Sequence, residues 1–266
     1  MQEADGDGGA AAAAPPSLRI ACLLPSATEI VGALGLSGSI VAVTHECDLC
    51  PDRAGLQSLM ASCDRPPPSL VTSTTINPHA MQQAAIDEAV KRSVSSGLSL
   101  YSVDQPALLA TAPNLVITQA LCAVCAPATE EVDAVCVDIG RQLRAAGSST
   151  TVEVLSLQPT DLPTVAASFE AVACACGPEF APRGAALRAE FERKFHAVSA
   201  AVASTTVQTV RPSVLLLEWL DPVFDAGHWV PGQIEAACCR SAARLWRASS
   251  YEVHREELGR RDSGRS

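Results

Sequence analysis

Aromatic residues are scarce in this sequence: three Trp, two Tyr and five Phe, 4% of 266 residues. So few rings exclude the stacking platforms that hold single-stranded nucleic acid. Basic residues are in the minority as well. Nineteen Lys and Arg stand against 29 Asp and Glu, a net charge of −10, so the chain lacks the phosphate-neutralising surface of a nucleic-acid binder. No apolar run reaches the roughly 18–20 residues of a membrane span. Phosphate-loop, dinucleotide and serine-hydrolase fingerprints are absent: there is no GxxxxGK(S/T), no GxGxxG and no GxSxG. The N-terminal MQEADGDGGAAAAAPPS carries no basic segment ahead of its alanines, whereas secretory signals open basic and transit peptides avoid acids. Residues 1–17 are therefore expected to be a disordered leader, and the chain cytoplasmic.

What is present is globular in kind, with 48% hydrophobic and 18% charged residues. Eleven cysteines are many. In a cytoplasmic chain they are expected to be reduced, as core thiols or metal ligands. Cys47 with Cys50, and Cys122 with Cys125, have CxxC spacing.

Near-continuous apolar runs recur: LRIACLL (18–24), IVAVT (40–44), LSLYSV (98–103), NLVIT (114–118), VEVLSL (152–157) and SVLLLE (213–218). Such runs suit strands covered on both faces, hence a parallel sheet between helices. Helical stretches alternate with them. Ser26 and Glu29 have capping-box spacing after the first strand, and Gly35 closes that helix. Asn77-Pro78 predicts another helix start, with Ile86, Ala89, Val90 and Val94 on one face. Thr129 opens a third, with Val132, Val135, Cys136, Ile139 and Leu143 at helical spacing.

The alternation breaks over residues 161–206. One helix runs from an Asp161 cap to Gly177. A second begins near Pro182 and carries Leu187, Phe191, Phe195, Val198 and Val202 on one stripe. At about 1.5 Å per residue it is roughly 30 Å long, enough to connect two lobes or simply to cover one. The expected organisation is a leader (1–17), an α/β lobe (18–160), a helical linker with a long backbone helix (161–210), the start of a second, incomplete α/β lobe (211–239) and an Arg-rich tail (240–266).

Three segments carry candidate chemistry. His45-Glu46-Cys47-Asp48 follows the strand IVAVT, and ligands in open α/β sheets bind beyond the carboxyl ends of strands. Gln119, Cys122 and Cys125 follow NLVIT at the same edge. The two thiols suit a soft or borderline metal, a redox pair, or inert packing. Trp219, Asp221, His228 and Trp229 follow SVLLLE, as a pocket wall for a flat organic ligand or as a packed loop.

Taken together, RIACLLPSATEIVGALGL, IVAVTHECD, SGLSLYSVD, PNLVITQALCAVCAP and VLLLEWLDPVFDAGHWVPGQIE resemble the Fe/B12 periplasmic-binding domain, in its cobalamin-binding-like branch, from about residue 18 to 236. The resemblance implies two α/β lobes joined by one long helix, with ligand in the cleft and no catalysis. It puts Ser26, Glu29, His45, Glu46, Cys47, Gln119, Cys122 and Cys125 on one side of that cleft. Trp219, Asp221, His228 and Trp229 face them. The implied ligand is a corrinoid such as cobalamin, or another metal chelate, and the implied partner is an ABC transporter. No nucleic acid, no membrane span and a monomer are expected. The alternative read from the residues is an intracellular zinc-binding or thiol-redox protein using His45, Cys47, Cys122 and Cys125.

Overall fold

The computed structural model describes residues 18–49, 67–77, 80–96, 100–119, 129–145, 151–205, 212–237 and 239–241. In chain order its elements begin β1 (Ile20–Cys22), α1 (Pro25–Ala33), β2 (Ile40–Val43), β3 (Ser69–Leu70), β4 (Thr72–Thr74), α2 (Gln83–Ser96) and β5 (Tyr101–Val103). Next come α3 (Gln105–Ala110), β6 (Leu115–Gln119), α4 (Thr129–Ala145), β7 (Glu153–Leu157), α5 (Leu162–Cys176) and α6 (Ala181–Thr205). The last are β8 (Ser213–Val214), β9 (Leu217–Leu220), β10 (Val223–Asp225), α7 (Val230–Ala236) and β11 (Arg240–Ser241).

Five strands form one parallel sheet in the order β3-β2-β1-β6-β7. Residues alternate across it because side chains in a strand alternate in direction. Ile20, Cys22, Ile40, Leu115, Ile117 and Leu157 pack with Ala27, Ile30, Val31 and Leu34 of α1 and with Val172, Ala173 and Cys176 of α5. Ala21, Leu23, Ala42, Val71 and Val116 pack on the other face with Leu108 of α3 and Cys136 and Ile139 of α4. Each large aliphatic chain buried this way contributes about 1.5–3 kcal/mol. A helix–sheet–helix sandwich is thus the α/β lobe expected from the buried runs.

Local departures have local reasons. LSLYSV does not join the main sheet. Its strand β5 pairs antiparallel with β4, Thr72 opposite Val103 and Thr74 opposite Tyr101. Helix α1 begins one residue before the proposed Ser26 cap: Pro25 fills its first turn, Leu24 is the N-cap, and no side chain caps it. Its other end is as read. Gly35 has φ +75°, and Leu36 N donates to Val31 O, the wrap of a glycine-terminated helix. Near Asn77 the chain makes a turn, with Ala80 N and Met81 N donating to Asn77 O, and helix α2 starts only at Gln83. Pro78 lies outside the described residues.

Residues 161–205 hold two successive helices. Helix α5 is capped reciprocally, Thr164 N donating to Asp161 Oδ1 (2.8 Å) and Asp161 N to Thr164 Oγ1 (3.0 Å), and its inner face belongs to the lobe's core. Helix α6, 25 residues and about 37 Å long, packs back on α5. Gly184 permits the approach: a Cβ there would stand 2.5 Å from Ala173 Cβ and 3.0 Å from Phe169 O. Phe169, Phe191 and Phe195 stack in sequence, and Arg188 joins Glu170 (2.7 Å) to Glu192 (2.9 Å).

Beyond α6 the described chain holds two small two-stranded sheets, β9–β10 antiparallel and β8–β11 parallel, with α7 between. Ser199 Oγ of α6 donates to Ala236 O (2.9 Å). Leu215, Leu216, Leu217, Leu220 and Val223 are all exposed here.

Candidate functional site

Strand order fixes where a site can form. From β1 the chain steps outward through β2 to β3, then returns to the opposite side of β1 for β6 and β7. The reversal lies between β1 and β6, and in open α/β sheets the loops leaving such a point part to make a crevice. Three strand ends meet there. After β1 come Pro25 and Ser26 of α1, after β2 come Thr44, His45 and Glu46, and β6 ends at Gln119.

The turn after β2 is short and tightly held. Cys47 N donates to Thr44 O (3.0 Å). The Thr72 hydroxyl, buried at the start of β4, lies 2.8 Å from Thr44 Oγ1 and 2.7 Å from His45 Nδ1, and accepts the His45 backbone N–H (3.1 Å). The Tyr101 ring of β5 flanks the imidazole, centroids 5.8 Å apart. Hydroxyl and ring together fix the imidazole's orientation, as an outer partner does for a metal-binding histidine. Nε2 is 3.3 Å from Glu46 Oε1, near enough to pair when protonated. The angles do not make a hydrogen bond, so Nε2 is buried without a hydrogen-bond partner.

The expected residues fall into four groups. His45, Glu46 and Gln119 stand half-buried at the ends of β2 and β6, the two strands that flank β1, and Ser26 and Glu29 are exposed on α1. Cys47 departs from the expectation: it is buried in the core, its sulfur 3.2 Å from Thr28 Oγ1, because the turn folds its short apolar side chain under the sheet edge. Cys122 and Cys125 lie outside the described residues. Trp219, Asp221, His228 and Trp229 stand on the β9–β10 hairpin and the start of α7. Trp219 Nε1 donates to Asp221 O (2.9 Å), the peptide before Pro222 is cis, His228 has φ +53°, and its ring lies 5.7 Å from Trp229. Among the described residues no group of three His, Cys, Asp or Glu is placed to hold a metal ion.

Thr28, Thr72 and Tyr101 carry the site's geometry, yet sequence reading passed over them. A lone Thr or Tyr has no motif around it. The only signal was TSTT, a polar strand beside an apolar sheet.

Electrostatics follow burial. Desolvation pushes the Cys22 thiol far above the ordinary thiol range; the Thr28 hydrogen bond opposes this, and neighbouring Cys47 and Cys176 add to it. Burial, helped by the Glu153 charge, raises Cys176 to about 11.

No family model and no curated protein matches the chain. Solved structures do. The periplasmic heme-binding protein RhuT from Roseiflexus sp. RS-1, in apo form, superposes with a TM-score of 0.52 at 22% identity, over 88% of this chain and 69% of that one. The fold is that of the Fe/B12 periplasmic-binding proteins. The periplasmic heme-binding protein HutB of Vibrio cholerae matches at TM-score 0.50 and 15% identity, over 85% of this chain and 66% of its own. A periplasmic binding protein from Veillonella parvula matches at TM-score 0.50 and 11% identity, over 85% and 60%. This chain therefore spans 60–69% of the length of these structures. They are described as binding proteins. They are also periplasmic, which overturns the cytoplasmic expectation: it rested on the composition of 17 N-terminal residues, which lie outside the described part of the chain. No helix among the described residues is long and apolar enough to cross a membrane.

Proposed function

We propose that this chain is an extracytoplasmic solute-binding protein whose ligand is a flat metal chelate, a heme-type or corrinoid macrocycle, delivered to an ABC transporter. The observation that carries this reading is the orphaned His45 Nε2 at the carboxyl ends of β2, β1 and β6, beside the strand reversal. When Nδ1 bears the proton and donates it to Thr72, Nε2 presents its lone pair, and imidazole suits iron and cobalt. The Glu46 side chain, 37% exposed, swings off Nε2 to admit the metal. Gln119 and Ser26 offer polar contacts at the rim, with Glu29 beside them on α1. Cys122 and Cys125 are assigned to the rim on sequence grounds, and Trp219, Asp221, His228 and Trp229 to the opposing wall. The protein binds and releases; no group is assigned a catalytic step. The zinc or thiol-redox alternative requires Cys47 to turn out of the core, against its burial and its contact with Thr28.

Titration with ferric heme and, separately, with cobalamin tests the reading. A saturable change in the visible spectrum with quenching of tryptophan fluorescence is expected for one of them. No change with either up to about 100 μM, a limit near −5.5 kcal/mol, overturns it.

A further inference from the structure

On the sheet face beneath α4, Val116 of β6 and Val154 of β7 pack with Leu23, Cys136 and Ile139. Side chains alternate along a strand, so Thr118 and Ser156, two positions further on, share that face. They stand opposite each other in the parallel β6–β7 pairing. Thr118 is 0% exposed. Neither its Oγ1 nor the buried Ser156 Oγ has a hydrogen-bond partner. A buried hydroxyl without a partner is destabilising, and valine and alanine would fill much the same space without that penalty. Two such hydroxyls side by side point to a shared guest. We propose that Thr118 and Ser156 form a buried site for one water molecule, which bridges the carboxyl ends of β6 and β7.

Spacing and charge both select water. Neighbouring strands lie about 4.8 Å apart. Opposed side chains on one face are thus separated by about the distance that a single oxygen spans when it lies about 2.8 Å from each of two hydroxyls. A hydroxyl donates and accepts, and water complements both roles. The neighbours named on this face carry no charge, so an ion would be desolvated with no counter-charge. A buried water commonly satisfies polar groups of this kind. Gln119, the next residue of β6, points to the opposite face by the same alternation, so the water site stands independently of the chelate-binding reading. By linking β7 to β6 beyond the backbone ladder, the water steadies the strand end that carries Gln119.

A high-resolution crystal structure of the full chain tests the site directly. The expected result is a water oxygen within about 2.5–3.0 Å of both Thr118 Oγ1 and Ser156 Oγ. Hydroxyls bonded to each other, or to other protein groups with no water between them, overturn the proposal. Urea denaturation reads the same site in solution, by the sign of the change. Thr118→Val and Ser156→Ala each take away a partner of the water, so each is expected to raise the unfolding constant about fivefold. The double variant is expected to raise it by less than the product of the two, because the second substitution removes a group whose bridge is already broken. A single variant more stable than the wild type means that its hydroxyl was unsatisfied, and a double variant equal to the product means that the hydroxyls act separately; either result overturns the proposal. If Thr118→Val does not fold, Ser156→Ala, on the edge strand β7, gives the sign on its own.

Discussion

His45 Nδ1 lies 2.7 Å from the Thr72 hydroxyl, a contact that reaches across 27 positions of sequence. It ties the turn after β2 to the first residue of β4, and the same hydroxyl meets Thr44. Replacing Thr72 by Val keeps the shape and removes the oxygen. The His45 N–H is then left without its acceptor and the Thr44 hydroxyl without its partner, at a cost of about 1–3 kcal/mol. Urea denaturation measures that loss, and chelate affinity is expected to fall about tenfold as the imidazole loses its orientation.

Gly184 of α6 packs directly against α5. Gly184→Ala forces its new methyl against Ala173 Cβ and the Phe169 carbonyl. Overpacking of this kind costs about 1–3 kcal/mol. Adding Ala173→Gly relieves the side-chain half of the clash and recovers part of the loss in thermal denaturation. The backbone half remains.

How much of this was legible in the sequence depends on burial. The runs 18–24, 40–44, 114–118 and 152–157 all join the main sheet, so an apolar run was a direct sign of a strand packed between helices. LSLYSV looked the same, but its partner TSTT is polar, and nothing in either run shows that they pair only with each other. Asp161 was readable as a cap because Leu162, Pro163 and Thr164 follow it. Ser26 misled because Pro25 already serves as the first helical residue. At the site, His45 and Glu46 were legible from their place after a strand. Cys47 was not, since its sequence neighbours say nothing of which way a turn folds.

Asp161 gives a pH signature. The Thr164 hydroxyl, then the Thr164 backbone N–H, hold its carboxyl below the usual range. A depressed carboxylate contributes stability above its unfolded pKa, about 3.9, and loses it as pH falls through the lower folded value. Asp161→Ala is therefore expected to lower Tm at pH 7, with the gap to the wild type narrowing below about pH 4. A gap that stays constant down to pH 2 contradicts the assignment.

Leu220 and Val223 face each other across β9–β10, and Leu220 is 62% exposed. Changing both to Thr keeps strand propensity and removes apolar surface. Binding of a hydrophobic fluorescent dye is expected to drop, with stability changed by no more than about 0.5 kcal/mol per site. A larger loss of stability means that these side chains pack.

The absorption spectrum of ferric heme bound to the wild type, to His45→Ala, and to His45→Ala with added free imidazole tests the central claim most directly. The account predicts nitrogen ligation in the wild type, its loss in the variant, and its return with imidazole. An identical spectrum and affinity in wild type and variant contradicts it.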